Sequence, residues 1–166
     1  MRVELYEYDP GWPVAFGVER NRVAAALGDR AVVVEHVGST SVPGLAAKPI
    51  IDIVVAVPDA VDEAAYVPAL EADGYQFILR EPDWFDHRLL RRESPRVNLH
   101  VFTVGCSEIE QMTGFRDWLR THVDDREQYE RAKRGLATHD WNVVQDYADA
   151  KTDIVAAIKR RAGLVP

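Results

Sequence analysis

The sequence predicts an α+β fold, with a mixed β-sheet of about five strands, helices packed on that sheet, and further helices at the C-terminal end. Three observations lead to this prediction. Five short runs of β-branched and aromatic residues lie between residues 31 and 104. Helix signals occur before and between these runs without regular alternation. After Gly105 only helix signals remain, so we expect one domain over residues 1–166, with a sheet core at 1–105 and a helical segment at 106–166.

The first part of the chain predicts one helix and two central strands. Asp9 and Pro10 form a helix start, a capping side chain followed by proline, and an apolar stripe continues to about Gly28. The runs Ala31–Val37 and Ile50–Val57 are apolar on both faces. Such runs are typical of strands that are covered on both sides, so we expect both in the middle of the sheet.

The remaining helices and strands are predicted from apolar runs, from glycine and proline breaks and from capping signals. A helix is expected over residues 59–73, interrupted at Pro68 and ended by Gly74. Three more strands are expected, the last two joined by a hairpin turn, at Tyr75–Leu79, Phe85–Arg91 and Val97–Val104. Capping signals then predict three helices that start near Ser107, Asp124 and Asn142 and end near Thr121, Gly135 and Arg161.

Composition and charge limit the kinds of partner. The 166 residues carry a net charge of −7, which disfavours duplex nucleic acid because such binding depends on clustered cations. No apolar run approaches the roughly 20 residues that a membrane-spanning helix needs. The first residues lack the apolar core of a signal peptide, and Cys106 is the only cysteine. We therefore expect a cytoplasmic protein without a membrane partner, and the oligomeric state stays open.

A glycine and three hydroxyl residues directly follow the first predicted strand: Gly38, Ser39, Thr40 and Ser41. Glycine permits a tight turn, and consecutive small residues expose backbone N–H groups, so this segment suits phosphate oxygens. The spacing to Lys48 differs from that of a Walker motif. The alternative interpretation is an ordinary polar turn between two strands.

A carboxylate interrupts the second apolar run. Asp52 shares one face of its predicted strand with Ile50 and Val54. An ionised group in a buried strand is costly unless it is paired or bound to a cation. Asp52 is therefore a candidate metal ligand or a partner for a basic residue, and the alternative is a structural, hydrogen-bonded aspartate.

These features carry a resemblance to known proteins. A strand that ends in Gly-Ser, followed by an aspartate on the next strand, resembles the nucleotidyltransferase superfamily of the polymerase-beta type. The segment HVGSTSVPGLAAKPIIDI resembles the signature of the GrpB family within that superfamily, and YDPGWPVAF, NLHVF, FRDWLR and YADAKTDI match it too. The resemblance covers almost the whole chain. It implies a nucleotidyltransferase-like fold in which the Gly-Ser turn holds nucleotide phosphates and strand acids bind two divalent metals.

One departure from the superfamily pattern affects the expected chemistry. The position two residues after Asp52, where a second acid is expected, is Val54, and the later strand presents His100 instead of a third acid. A two-metal mechanism uses a carboxylate scaffold that holds its cations about 4 Å apart. The two-metal mechanism therefore does not carry over directly.

Two histidines extend the candidate site. His36 precedes the Gly-Ser turn, and with Asp52 and His100 it could form a His/His/carboxylate metal site. A divalent metal is expected as cofactor: Mg or Mn would prefer oxygen ligands, and Zn would suit the histidines. The alternatives are that either histidine is a neutral core residue or a general base. The predicted catalytic residues are Asp52, His100 and Lys48.

Basic residues supply the expected anion partners. Lys48 lies at the entrance of the second strand, and Arg88 is expected to share a face with His100. Arg88 and Arg116 are predicted phosphate-binding residues because guanidinium groups match phosphate geometry, and the alternative is that they are ordinary surface cations in ion pairs. For Lys133 and Lys151, ordinary surface roles and ligand contacts are both open.

The sequence thus indicates a nucleotidyltransferase-like protein that binds a nucleotide or another phosphorylated small molecule. One hypothesis is metal-dependent nucleotidyl transfer to a small molecule or protein. A second is a non-catalytic nucleotide-binding module, which the absent acid at Val54 favours. A third is an interaction protein with a link to coenzyme A metabolism.

Overall fold

The computed structural model describes residues 3–138, 148–149 and 151–164. Within these ranges, the α-helices and strands with defined bounds follow one another in the order α1 (Gly11–Leu27), β1 (Val33–Val37), β2 (Ile51–Val57), α2 (Val67–Ala72), β3 (Gln76–Glu81), β4 (His87–Arg92), β5 (Val97–Thr103), α3 (Ser107–Thr121), α4 (Val123–Ala137) and α5 (Thr152–Arg161). A single 3-10 turn at Ser39–Ser41 lies between β1 and β2. The α+β class and the number of strands agree with the prediction.

The strands form one mixed sheet in the order β1-β2-β5-β4-β3. β2 and β5 are parallel, and every other neighbouring pair among these strands is antiparallel. The predicted central position is right for β2 and wrong for β1, which is an edge strand. The sequence of β1 resembles that of a central strand because helices cover its apolar side chains. Its position at the edge is set by backbone pairing, which it makes with β2 alone among these strands.

Helices α1 and α2 cover one face of the sheet. Alternate residues of β2 and β5 point to this face and form the main core with Trp12, Val23 and Leu27 of α1, with Leu70 of α2 and with Tyr66, which immediately precedes α2. Asp9 caps the start of α1, since its Oδ1 accepts the N–H of Gly11 at 2.7 Å. This face is closed by apolar packing.

The C-terminal helices cover part of the opposite face. Val37, Val54 and Phe102 form a small cluster there against α3. A second cluster joins α3, α4 and α5 to the segment after the Ser39–Ser41 turn through Val42, Leu45, Leu119, Tyr129 and Ile158. The helical segment therefore lies beside the Gly-Ser turn and leaves a cleft between itself and the sheet.

Several element boundaries differ from the predictions. The helix expected over residues 59–73 is a 3-10 turn at Glu63–Ala65 followed by the short α2, because Pro68 falls in its first turn. The expected caps Ser107 and Asp124 lie inside α3 and α4, and neither helix has a side-chain cap at its N-terminus. Asn142, the expected start of the last helix, lies outside the described residues.

Within the described ranges, no helix combines the length and the apolar character that crossing a bilayer requires. A cytoplasmic location remains a prediction of the sequence.

Candidate functional site

Gly38 and Asp52 are in direct contact where β1 ends. Val37 pairs with Asp52 in the β1–β2 register, so the chain turns directly over the carboxylate. Gly38 has φ of 74° and ψ of −178°, a backbone region that is essentially restricted to glycine. A Cβ atom at this position would lie 2.6 Å from Oδ2 of Asp52. The structure therefore brings the Gly-Ser turn and the strand aspartate together.

The three hydroxyl groups of the turn have different roles. Ser39 Oγ accepts a hydrogen bond of 2.8 Å from Nζ of Lys133. Thr40 Oγ1 donates to the carbonyl of Ile50, and Ser41 Oγ donates to a carbonyl within the turn. The hydroxyls of Thr40 and Ser41 thus hold the turn in shape, and that of Ser39 faces a cation.

Three lysines from separate segments meet beside this turn. Lys48 precedes β2, Lys133 belongs to α4, and Lys151 immediately precedes α5. Together with Ser39 and Asp52 they line a cavity of about 120 Å³. A group of ammonium ions around a small cavity produces a positive potential that attracts anions. The structure therefore places Lys133 and Lys151, whose roles the sequence left open, beside Lys48.

Burial lowers the pKa of all three lysines. The pKa of Lys133, whose surface is 2% exposed, falls to about 7 because burial and then the charge of Lys151 disfavour its ammonium form. The charge of Lys151 also lowers the pKa of Lys48, after burial. Asp52 acts in the opposite direction on both Lys48 and Lys151. A bound anion would further stabilise the ammonium forms.

Asp52 is also one end of a chain of four side chains across the sheet. Its Oδ1 lies 3.2 Å from Nε2 of His100, and Nδ1 of His100 lies 3.0 Å from Nε2 of His87. Nδ1 of His87 lies 2.8 Å from Oε1 of Glu81. The four residues belong to β2, β5, β4 and β3, which are neighbours in the sheet. Their side chains share the face that carries the cleft.

His87 is the buried member of this chain. Its ring packs against Trp84 and Phe102, with centroid distances of 4.8 Å and 4.9 Å. Burial, followed by repulsion from His100, lowers its pKa to about 4, although Glu81 acts to raise it. The imidazole of His87 is therefore neutral at neutral pH.

Two further cavities meet the lysine cavity at Asp52. One of about 140 Å³ is bounded by the Gly-Ser turn, α3 and Tyr129 of α4. The other, about 330 Å³, has Asp52 and His100 at its base and apolar walls that include Met112 and Phe115. Asp52 therefore lies between a cationic compartment and a larger apolar one.

His36 does not join this site. It lies on the face of the sheet opposite to Asp52, where its ring stacks on Phe16 of α1 at a centroid distance of 4.9 Å. Its Nε2 lies 3.0 Å from Oγ1 of Thr40, and burial is the main reason why its pKa falls to about 4. The expected metal set of Asp52, His36 and His100 does not form, because successive residues of a strand point to opposite faces.

Arg88 also points away from the cleft. The β4–β5 register pairs His100 with Leu89, so the expectation that Arg88 shares a face with His100 is wrong. Its Nε instead donates to Oε2 of Glu63 at 2.9 Å, on the face that α2 covers. The structure gives Arg88 a structural ion pair rather than access to the lysine cavity.

Arg116 lies at the rim of the site and binds protein groups. It lines the 140 Å³ cavity. Its Nη1 donates to Oε2 of Glu35 at 2.8 Å and to the carbonyl of His36 at 3.0 Å, and its Nε donates to Asp117. Arg116 thereby joins α3 to β1, and a phosphate would have to share its guanidinium with two carboxylates.

Asp52 and His100 remain as a pair of candidate metal ligands. In the part of the chain that the structure describes, no group of three or more His, Cys, Asp and Glu side chains is arranged to hold a metal ion. Val54, at the position expected for a second acid, is fully buried with Val37 and Phe102. A cation at Asp52 would therefore need oxygen atoms of a bound ligand or of water to complete its coordination.

Sequence reasoning missed Glu81 and His87, and it left Lys133 undecided. The side-chain contact between His87 and His100 could have been inferred from the hairpin, because a four-residue turn at residues 93–96 fixes which side chains share a face. The lysines carried no comparable signal. Their convergence depends on how α4 and α5 dock against the sheet.

The fold and the site define an α+β protein whose Gly-Ser turn and strand aspartate open onto a lysine-lined cleft. A family model described as GrpB protein matches residues 2–161, and the chain belongs to the GrpB family. A UPF0157 protein of Halalkalibacterium halodurans is 56% identical over 160 residues, which cover 96% of this chain and 82% of that protein.

Two further comparisons bear on fold and architecture. The crystal structure of conserved protein GrpB from Enterococcus faecalis has a TM-score of 0.85 at 30% identity and covers 96% of each chain, which confirms the α+β fold with a mixed sheet. A dephospho-CoA kinase of Mycolicibacterium paratuberculosis is 30% identical over 183 residues, which cover 95% of this chain and 43% of that protein. A GrpB-like segment therefore also occurs within a longer protein.

Proposed function

We propose that this GrpB-family protein binds a nucleotide or another phosphate-bearing small molecule, with a phosphate in the lysine cavity. The observation that carries the proposal is the convergence of Lys48, Lys133 and Lys151 with Ser39 around one small cavity. Burial lowers the pKa of all three lysines, and the charge of Lys151 lowers the pKa of Lys48 and Lys133 further. A phosphate group would neutralise them and accept their hydrogen bonds.

The charge of the cavity is local. The whole chain carries −7, so the lysines do not belong to a generally basic surface of the kind that binds nucleic acid. A cationic pocket on an acidic protein favours a small anion that enters the pocket over an extended polyanion. This supports a small-molecule ligand.

The adjoining apolar cavity would hold the part of the ligand that carries no phosphate. Its volume of about 330 Å³ lies at the lower end of the range for small-molecule sites. Phe115 and Tyr129 line it, and aromatic rings favour flat apolar groups such as nucleotide bases. A ligand that passes Asp52 would have its phosphate on one side of the carboxylate and its apolar group on the other.

Asp52 is the residue at which catalysis would occur. Together with phosphate oxygens of the ligand it would hold a divalent cation, Mg or Mn with oxygen ligands or Zn with His100 as an additional ligand. The cation would polarise the phosphate for nucleotidyl transfer. Because Val54 provides no second carboxylate, binding is the better-supported part of the proposal and transfer is the part that needs a separate test.

Binding is tested by thermal unfolding in the presence of ATP, GTP, CTP, UTP or pyrophosphate, each with and without Mg²⁺ or Mn²⁺. A ligand at 100 times its Kd stabilises the folded state by about 2.7 kcal/mol. Lys133→Met is expected to abolish this stabilisation. Arg131→Met removes one positive charge from an exposed position of the same helix and is expected to retain it. Equal responses from the two variants would contradict the proposal.

Transfer is tested by pyrophosphate release from any nucleotide that binds. Release that is lost in Asp52→Ala supports catalysis at this site, and binding without release supports a non-catalytic module. Release that survives Asp52→Ala would place the reaction elsewhere.

A second candidate ligand comes from the similarity to a dephospho-CoA kinase. The matched segment is less than half of that enzyme. We therefore propose an accessory role, in which this protein binds a coenzyme A intermediate. In coenzyme A and dephospho-coenzyme A a diphosphate joins an adenosine to a long pantetheine arm, so a diphosphate in the lysine cavity would leave one of these groups to extend into the apolar cavity. Both belong in the same unfolding experiment, and stabilisation by either in preference to the four nucleoside triphosphates would favour this candidate.

A further inference from the structure

The apolar cavity contains two charged side chains that have no role in the fold. Glu108 of α3 and Lys159 of α5 both line it, and each is half-buried. In the portion of the chain that the structure describes, neither side chain forms a hydrogen bond or an ion pair. Burial raises the pKa of Glu108, and the charge of Lys159 acts on it in the opposite direction. A ligand that supplied hydrogen-bond partners to both groups would offset the cost of their partial burial.

Both residues lie away from the lysine cavity along their helices. Lys151, in the lysine cavity, immediately precedes α5, and Lys159 follows it by eight residues, a rise of about 12 Å. Glu108 likewise precedes Arg116, which lines the cavity beside the Gly-Ser turn, by eight residues of α3. A nucleotide with its phosphates among the lysines would therefore bring its base, rather than its ribose, to Glu108 and Lys159.

We propose that Glu108 and Lys159 recognise the edge of the base, and that this base is guanine. The inference rests on the proposed function and names the ligand of the same cleft. Guanine presents two hydrogen-bond donors side by side, N1–H and the 2-amino group, with the acceptor O6 next to them. The two oxygens of a carboxylate accept both hydrogens, and an ammonium group donates to O6.

The other bases match this pair of side chains less well. Adenine and cytosine each offer a carboxylate one amino group with a ring nitrogen lone pair beside it, so the second carboxylate oxygen faces an acceptor. Uracil offers one N–H between two carbonyl oxygens, which a carboxylate repels. Buried acceptors that face each other weaken binding, so we expect GTP to bind most tightly and UTP least tightly of the four nucleotides.

The decisive comparison is between GTP and inosine triphosphate, which differ only in the 2-amino group and carry the same charge. Calorimetry with the full chain is expected to show about tenfold tighter binding of GTP, a difference of about 1.4 kcal/mol. Pyrophosphate, which has no base, measures the lysine cavity alone. If pyrophosphate binds but GTP and inosine triphosphate bind equally, the guanine assignment is wrong and the anion site stands. If pyrophosphate and all the nucleotides fail to bind, both proposals are wrong.

Variants of the two residues should change different ratios. In Glu108→Gln the preference for GTP over inosine triphosphate should fall from about tenfold to about twofold or less, because an amide offers one acceptor oxygen. Glu110→Gln makes the same charge change at an exposed residue of α3 and should keep the preference. A preference that persists in Glu108→Gln would overturn the role of this carboxylate.

Lys159→Met should weaken GTP and inosine triphosphate to the same extent, since both carry O6, and should weaken ATP less. Arg160→Met removes an equal charge from the neighbouring exposed position and serves as the matched control. Equal losses for GTP and ATP in Lys159→Met, or the same pattern in Arg160→Met, would show that Lys159 attracts anions in general and does not contact the base.

Discussion

The carboxylate of Asp52 occupies the space where a side chain of Gly38 would lie, since a Cβ there would be 2.6 Å from Oδ2. The turn that follows β1 and the aspartate on β2 are therefore one structural unit. Their contact defines the point at which the cationic and apolar compartments meet. Changes at either residue are expected to affect the whole cleft.

Gly38→Ala is expected to destabilise the protein and to disrupt ligand binding. A side chain in this backbone region costs of order 1 to 3 kcal/mol in strain, and the methyl group must also displace Asp52. Unfolding in urea measures the first effect, and pyrophosphate binding by calorimetry measures the second. Gly105→Ala is the matched control, because Gly105 also has positive φ, of 83°, with nothing within 4 Å of the added Cβ. If both variants bind pyrophosphate equally well, the contact with Asp52 is not needed for the site.

Lys133→Met is expected to raise stability at pH 6.5 while it removes the anion response. The pKa of Lys133 is about 7 in the folded protein and 10.5 ordinarily, so the unfolded state binds more protons between these values. Wild-type stability therefore rises with pH across this window, by at most about 1.4 kcal/mol per pH unit from this group. The advantage of Lys133→Met should shrink between pH 6.5 and pH 9.5, as measured by urea unfolding. A variant that is less stable than the wild type at pH 6.5 would contradict this.

Phosphate binding is expected to weaken as the pH rises. An anion binds the ammonium form of Lys133, and this form is lost above a pKa of about 7. Stabilisation by sulfate, whose own charge does not change in this pH range, should therefore be larger at pH 6 than at pH 9, and sulfate binding at pH 8 should be accompanied by proton uptake. Calorimetry in two buffers of different ionisation enthalpy measures that uptake. An affinity that is independent of pH would show that Lys133 does not contact the anion.

Asp52→Asn is expected to separate the anion site from the cation site. The substitution removes a negative charge from the lining of the lysine cavity, so metal-free pyrophosphate should bind about fivefold more tightly, a change of about 1 kcal/mol that is typical of charges a few ångströms apart in water. Any enhancement of binding by Mg²⁺ or Mn²⁺ should disappear. Weaker metal-free binding in Asp52→Asn would mean that the carboxylate organises the lysines instead of competing with the anion.

Glu63→Gln is expected to reduce the sensitivity of the fold to acid without an effect on the cleft. Hydrogen bonds from Arg80, and then from Arg88, hold the pKa of Glu63 near 2. A lowered carboxyl pKa contributes stability that is present above the ordinary value of 4.5 and is lost as the pH falls toward 2. The loss of stability between pH 5 and pH 2.5 should therefore be smaller in Glu63→Gln than in the wild type. Pyrophosphate binding at pH 7 should be unchanged, and a decrease would indicate that Arg88 contributes to anion binding.

Much of the fold could be predicted because it depends on local patterns. The strands β2 and β5 are short apolar runs, and local capping signals predict helices that start near the observed starts of α3 and α4. The edge position of β1 could not be predicted, because the order of strands is decided by pairing between distant segments. The sequence shows only that both faces of β1 are apolar.

The candidate site was predictable where two residues are close along neighbouring strands, as Gly38 and Asp52 are. The assignments of His36 and Arg88 to the cleft failed for one physical reason, since each lies one position away from a residue that faces it. Lys133 lies 94 residues from Ser39, and nothing in its local sequence distinguishes it from a surface lysine.

The hydrogen bond between Lys133 and Ser39 joins the two regions of the chain, since one partner belongs to α4 and the other to the sheet core. Lys151 reaches the same cavity from the start of α5. A phosphate bound there would link the helical segment to the sheet through its ionic contacts with both. Ligand binding would then suppress local opening of the C-terminal helices. The rates of proteolysis and of amide hydrogen exchange in these helices should therefore be lower in the ligand-bound protein than in the ligand-free protein.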